Sequence, residues 1–410
     1  MYRRSRLQMV VGCVLGLLLA ALVSSDWNAA AQPRSSQRLA GAKSEVAAID
    51  YPTLQAALDA LPPSGGVVRL PPGRFEIQSP LILKTQDVLL VGSGTATHIH
   101  NANSSGQPAL VIKHPQGHDV DRKDRLWRVQ LENFRITGND KSGHGIEAIQ
   151  IEELYLEGVS VSEHGGDGIR LDHCYEDPRV ANCLITYNKA VGLNLVGCHD
   201  IVVCGNQFEE NQDALHCIDS FNLCMSGNNL DDHLGHGIVI ENTYGSVVSG
   251  NMIEECNGTA IILDRDCYGN TLSANVIAHN GAGVDLRDAH GCAISANTFT
   301  IMKTDALRVG PNSGRITVTG NNFSDSYIGD DSVRRRKNDL AAAGLVLDGA
   351  QDVAVLGNLF SSVRPKALEL RGAVSRHVLF SSNVLTDVDS DHSQLQNSLT
   401  QGNLTHAVDP

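Results

Sequence analysis

Large rings and charge are both scarce in this chain. Aromatic residues make up 4% of it and charged residues 19%. So few rings suit a core filled by columns of Val, Ile and Leu, and they leave few platforms for sugars. Basic charge is in deficit: 32 Lys and Arg stand against 46 Asp and Glu, a formal net charge of −14. That argues against nucleic acid, which is bound by basic stripes. Cys-x-x-Cys is missing and no His pair has zinc-ligand spacing, so a structural zinc site is excluded. No repeat holds the ten or so residues of helical periodicity that a leucine-rich or ankyrin unit needs. One long apolar run exists, from Met9 to Val23. It is too short and wrongly flanked to span a bilayer.

What is present in abundance is glycine, with 39 residues, and a spaced series of asparagines. Asn206, Asn228, Asn251, Asn275, Asn297, Asn321, Asn358 and Asn383 follow one another at steps of 22 to 25 residues, with a single step of 37. Two residues after each stands a large apolar side chain: Phe208, Leu230, Ile253, Ile277, Phe299, Phe323, Phe360 and Leu385. Three residues before each stands another, from Val203 to Phe380. Further on, each repeat reads small, apolar, any, apolar, as in Gly168-Ile169-Arg170-Leu171 and Gly237-Ile238-Val239-Ile240. Alternation over three or four residues is strand periodicity. Short strands joined by tight turns at a period near 23 predict an all-β, single-stranded right-handed parallel β-helix. The turn asparagines are expected to stack one strand spacing apart, because Asn tolerates left-handed backbone and bonds its neighbours. Weaker coils extend the series back through Cys183, Val159 and Phe134.

Arg3, Arg4 and Arg6 before the apolar run, and Ala29-Ala30-Ala31 after it, read as a signal peptide over residues 1–31. Its removal leaves a charge of about −16 and a secreted or periplasmic protein with no membrane attachment. Nine cysteines remain, an odd number, so at least one thiol is free. Cys174 and Cys198 share a column at a spacing a disulfide accepts; buried small core residues are the other reading.

The segment before the repeats carries a family resemblance. Tyr51 to Leu61 reads as a short helix capped by Thr53. Gly65-Gly66-Val67-Val68-Arg69-Leu70-Pro71-Pro72-Gly73 and Val88-Leu89-Leu90-Val91-Gly92-Ser93-Gly94 follow. This string, over residues 49–95, resembles the N-terminal segment of the pectate-lyase-like right-handed parallel β-helix superfamily (the pectin lyase fold). The repeats resemble that superfamily's coils to about residue 388. The resemblance implies a capping helix over the solenoid's open end. The resulting organisation is a signal peptide (1–31), a linker (32–48), the cap helix and first coils (49–127), β-helix repeats (128–388) and a C-terminal tail (389–410).

Chemistry must then come from outward side chains on one sheet. The variable residue of each strand gives the column Arg170, Asn194, His216, Val239, Ile262, Asp285, Arg308, Val346 and Glu369. Two residues on come Glu241, Asp264 and Arg287; three residues before come Asp213, His236 and Asp305. Overlaying these columns gives one ionisable neighbourhood with Asp213, His216, His236, Glu241, Asp264, Asp285, Arg287 and Arg308. Carboxylates on adjacent coils repel, shift each other's pKa or share a cation.

For β-elimination of an acidic polysaccharide, the resemblance implies Ca²⁺ held by Glu241, Asp264 and Asp285, with Arg287 or Arg308 as base. Hydrolysis would instead use two carboxyls, Asp264 with Asp285 or Asp213 with Asp264. His216 and His236 complete the catalytic candidates. Asp213, Arg170 and Arg336 are candidate substrate contacts; the last lies in a basic run, Arg334 to Lys337, inside the long step. The polygalacturonase strings are incomplete: Asp231-Asp232 and Gly235-His236-Gly237 fall in one coil, and Asn-Thr-Asp is absent. The epimerase string Asp-Pro-His-Asp is absent too. Alternating Asp and Arg also suits a solvated ion-pair lattice. The expectation is an exported polysaccharide-active protein, lyase before hydrolase. A non-catalytic carbohydrate-binding or adhesin solenoid and a structural protein of the export compartment stand as alternatives.

Overall fold

Each repeat folds as three short strands separated by three turns, and each strand lies against its counterpart one repeat later. The computed structural model describes residues 40–118, 120–324 and 343–406. The signal peptide and the run containing Arg336 lie outside them. Lys43–Pro410 form one of two compact units, and the strands wind into a parallel solenoid of about 15 turns. Three sheets run along it, with 18, 14 and 12 strands; below they are the first, second and third sheets. Val203, Met225, Val248, Leu272 and Ile294 stack in one inward column of the first sheet. Phe208, Leu230, Ile253, Ile277, Phe299 and Phe323 do so in the second. Both columns are buried, as alternation demands.

The asparagines make the turn from the first sheet into the second. Asn251 shows the pattern. Its Oδ1 accepts the Asn228 backbone amide at 3.0 Å and the Asn228 Nδ2 at 2.9 Å. Its own Nδ2 donates to Asn275 Oδ1 at 3.0 Å and to the Met225 carbonyl at 3.2 Å. The same bonds run from Asn206 through Asn383. Buried polar groups are thereby satisfied coil by coil. The expected backbone geometry needs correcting. The left-handed residue is the one before each asparagine: Gly205, Gly227, Gly250, Ala274, Ala296, Gly320, Gly357 and Ser382, all at φ between 54° and 67°. The asparagine is selected for its amide, the preceding small residue for the bend.

The first edge of the third sheet is closed by the predicted helix, Leu54–Asp59. Thr53 Oγ1 accepts the Ala56 amide at 3.1 Å as its cap, and Leu54, Ala57 and Leu58 join the buried core. Gln55 then stands in for a missing strand. Its Oε1 accepts the Ile82 amide at 2.7 Å and its Nε2 donates to the Ile82 carbonyl at 3.1 Å. An open edge is a liability, and here its unpaired groups are bonded by one side chain.

Winding also extends beyond the segments set apart as linker and tail. Ser44–Ala47 pairs with Gly66–Arg69. Leu399–Gln401 and Leu404–His406 stack on the preceding coil, and Asn403 accepts from Asn383 Nδ2 at 3.0 Å as a ninth rung. The nine cysteines after residue 31 are all free thiols, seven of them buried. Burial pushes Cys183, Cys217 and Cys256 up to about 12, which keeps them protonated and inert. Among the described residues, no helix is long and apolar enough to cross a membrane.

Candidate functional site

The outward column of the third sheet holds the register read from the sequence. Arg170 lies beside Asn194, then His216, Val239, Ile262, Asp285, Arg308, Val346 and Glu369, one per coil. The single ionisable neighbourhood, however, divides. Val239 and Ile262 are both buried, and these two apolar coils separate His216 from Asp285.

On one side of that divide lies a cell centred on Asp213. Its Oδ2 faces His216 Nε2 at 2.8 Å, and its Oδ1 accepts the His236 backbone amide from the next coil. Strict alternation would put residues three apart on opposite faces, but alternation breaks at Ala214 and Leu215, which are both buried, so Asp213 and His216 both face outward. Burial pushes the Asp213 carboxyl up, but hydrogen bonds from the His216 ring and the His236 amide outweigh it. The net effect holds it below the usual carboxylate range.

A carboxylate only accepts, so His216 carries its proton on Nε2 and presents Nδ1 as an acceptor. His236 has the same tautomer but engages the other nitrogen: its Nδ1 accepts the Thr259 amide at 2.9 Å, which leaves the proton on Nε2 to be donated. Neighbouring coils thus present one imidazole with an unengaged acceptor, His216 Nδ1, and one with an unengaged donor, His236 Nε2.

Two coils before His216, Arg170 Nη2 lies 3.3 Å from Asp172. A cell missed by the sequence reading adjoins it. Asp167 accepts Asn194 Nδ2 at 2.9 Å and the Val191 amide at 3.1 Å, and His144 Nδ1 accepts the Asp167 amide at 2.9 Å. The signal was there, since Gly143-His144-Gly145 repeats the Gly235-His236-Gly237 string.

On the far side of the divide the carboxylates of these outward columns meet arginines. Glu241 pairs with Arg265 at 2.8 Å, a residue the column analysis passed over because it sits at the turn. Asp285 pairs with Arg287 at 2.8 Å, and Asp264 lies 3.8 Å from the same guanidinium. Arg308 pairs with Asp348, and Arg371 bridges Asp305 and Glu369, each at 2.9 Å.

Two expectations are corrected by this geometry. Glu241, Asp264 and Asp285 do not converge as a cation site, because Asp285 lies in the Ile262 column rather than with Asp264, and arginines already neutralise all three. Arg287 and Arg308 present their hydrogens to carboxylates, so neither is free to act as a base. Among the described residues, groups close enough to share an ion lie elsewhere: Asp231, Asp232 and Glu255; Glu254, Glu255 and His279; Asp266, Asp288 and His290.

The chain is a right-handed parallel β-helix protein, as its resemblance to the pectate-lyase-like fold implied. Over residues 192–369 its sequence also matches the pattern of a family described as "Periplasmic copper-binding protein (NosD)". Several solved structures share the fold. The A-module of mannuronan C-5 epimerase AlgE6 from Azotobacter vinelandii is 16% identical with a TM-score of 0.58, over 89% of this chain and 100% of that one. Tailspike protein 3 of bacteriophage CBA120 is 12% identical with a TM-score of 0.61, over 94% and 68%. The DFA-IIIase of Arthrobacter chlorophenolicus A6 is 12% identical with a TM-score of 0.51, over 75% and 88%. No curated protein sequence matches the chain.

Proposed function

We propose that this protein is an exported, polysaccharide-active β-helix protein whose reacting centre is Asp213, His216 and His236, and that it cleaves an acidic polysaccharide by β-elimination. The observation that carries the reading is that the two histidines, both protonated on Nε2, engage opposite ring nitrogens, which leaves an acceptor on His216 and a donor on His236. His216 Nδ1 removes the proton α to a uronate carboxyl group. The C–O bond at the neighbouring carbon breaks, a carbon–carbon double bond forms, and the leaving oxygen takes the proton of His236 Nε2. Asp213 positions His216 and stabilises its imidazolium. Arg170, half-exposed two coils away, meets the carboxylate of a neighbouring sugar.

Hydrolysis by two carboxyls is less well supported. It needs one carboxyl that keeps a proton, whereas Asp213 is held ionised and the other two carboxylates expected for it, Asp264 and Asp285, lie against Arg287. The neighbouring solved structures include an epimerase and phage tailspikes, and the family matched over residues 192–369 is described as periplasmic; both agree with export and a glycan ligand. Calcium at Glu241, Asp264 and Asp285 is not part of the mechanism, because that donor set does not fit an ion.

The test is to incubate the secreted protein with polyuronates and follow the ultraviolet absorbance of the unsaturated product. His216→Gln is expected to lower the rate about 10²- to 10⁴-fold. Full activity in that variant, or retention of acidic polysaccharides without product, would sink the reaction; the second outcome would favour the adhesin reading.

A further inference from the structure

A second surface covers the outside of the first sheet and continues round the asparagine turn. Four outward positions per coil line up there. Two lie on the strands, running from Val202 to Leu399 and from Cys204 to Gln401. The third is the left-handed residue before each asparagine, exposed in every coil from Gly205 to Gly402. The fourth opens the second sheet, from Gln207 to Leu404. Over nine coils these four columns contain no Asp, Glu, Lys, Arg or His.

The same coils carry charge on their other faces. Glu209, Asp231 and Glu254 point outward further along the second sheet, and Asp264, Asp285 and Arg308 do so on the third. A surface shaped by solubility alone would intersperse such charge everywhere.

Apolar side chains stand out where charge is missing. Val247, Val276, Leu359, Leu399 and Leu404 are between 38% and 64% exposed. Rings border the patch where the chain arrives from the third sheet. His199, Phe221, Tyr244 and Tyr268 follow one another there through parallel bridges, and Tyr175 continues the column, with centroids 4.4, 4.7 and 5.4 Å apart from Tyr175 to Tyr244. Phe221 and Tyr268 are exposed too. Between the rings and the patch, Asn222, Gly245, Gly269 and Gly291 add no charge. Among the described residues, seven of the twelve exposed large apolar side chains thus lie on this face or its border. Such a concentration marks an interaction surface.

We propose that this face pairs with the same face of a second copy of the chain, about a two-fold axis. In a two-fold contact a patch meets its own image, so a charge near the axis would meet a like charge. On a chain of net charge −14, a charge-free face lets two copies approach without that repulsion. An anionic partner finds no cation in these columns, and a cationic one is drawn instead to the carboxylates of the other faces. A glycan laid along the rings would leave the columns beside them uncovered. Size agrees with a second copy. Eight strand spacings give about 38 Å of length, and four residues of strand and turn give about 13 Å of width. That is on the order of 500 Å² per copy, and a pair burying about 1,000 Å² reaches the size of a specific contact. The third sheet takes no part, so each copy keeps its Asp213 cell open.

The experiment is sedimentation velocity of the full protein over a concentration series at low and high salt. The parent is expected to sediment as two chains at the higher concentrations. Pairing is expected to be more complete at high salt, which screens the repulsion between acidic copies. Ala293→Glu, at the centre of the patch, is expected to weaken pairing about tenfold or more. Leu234→Glu adds the same charge at an exposed apolar residue off this face, and is expected to pair like the parent. Circular dichroism and melting temperature check the fold; if Ala293→Glu is unfolded, Thr317→Glu on the next coil is expected to show the same loss. A parent that sediments as one chain at every concentration and salt overturns the pairing, whether or not neutral glycans or lipid vesicles retain it. So does a dimer that Ala293→Glu and Thr317→Glu leave intact, or an assembly larger than two chains.

Discussion

At the residue scale, the asparagine ladder and the Asp213 cell use the same physics for different ends. In the ladder, each buried amide group is both donor and acceptor and is fully engaged, so removing one leaves partners on two coils without bonds. Asn251→Ala strands the Asn228 amide and the Met225 carbonyl. It is expected to cost about 2 kcal/mol or more, read as a lower denaturant midpoint. In the Asp213 cell the hydrogen bonds leave two ring nitrogens unspent, and that surplus is what chemistry can use. Asp213→Asn is expected to retain the fold and lower turnover about a hundredfold or more, because His216 then loses the partner that sets its tautomer. Neither outcome was legible from residue identity alone. His216 and Asp213 were candidates by column, but which nitrogen each ring leaves unengaged depends on what it meets: a carboxylate for His216 and a backbone amide for His236.

At the element scale, a coil touches only its neighbours, so damage to one coil should stay local. Phe323 packs between Phe299 and Phe360. Phe323→Ala is expected to destabilise by about 3–5 kcal/mol, with faster amide exchange confined to the flanking coils. The period of the asparagines was enough to place Phe323 in a column, because a strand's side chains alternate strictly. It was not enough to find the outer aromatic column. Tyr175, His199 and Phe221 lie in a turn, where no two-residue alternation marks them, and only the bridges between coils align them. Arg265 escaped for the same reason, and with it the pairing that removes Glu241 from a metal site. The helix from Leu54 to Asp59 was foreseen with its cap, but the role of Gln55 on the strand edge was not.

At the scale of the whole molecule, acid is expected to loosen the solenoid. A second buried column at the turn into the third sheet contains His164 and His233, both fully buried. Burial lowers His164 from 6.5 to about 3 and His233 to about 4. The folded protein therefore holds both rings neutral while the unfolded chain protonates them. Their stabilising contribution is complete above about pH 6.5 and fades as pH falls toward 4 and below. Thermal melts across pH 7 to 4 are expected to show a falling transition temperature, and His233→Gln a shallower fall. A pH-independent melt would contradict the burial of these rings.

The periodic sequence alone determined the winding, the inward columns, the outward register of the third sheet and the cap at its first edge. These follow from short-range rules: alternation along a strand, one turn signal per coil, and small residues where φ must be positive. Only the tertiary structure decided which outward groups meet. It split one apparent site into a histidine cell and a set of arginine-paired carboxylates, and it aligned a column of rings from turn residues. The physical reason is that side chains reach across coils by several ångströms in directions set by turn geometry, and hydrogen bonding at that range depends on position in space, not on spacing along the chain.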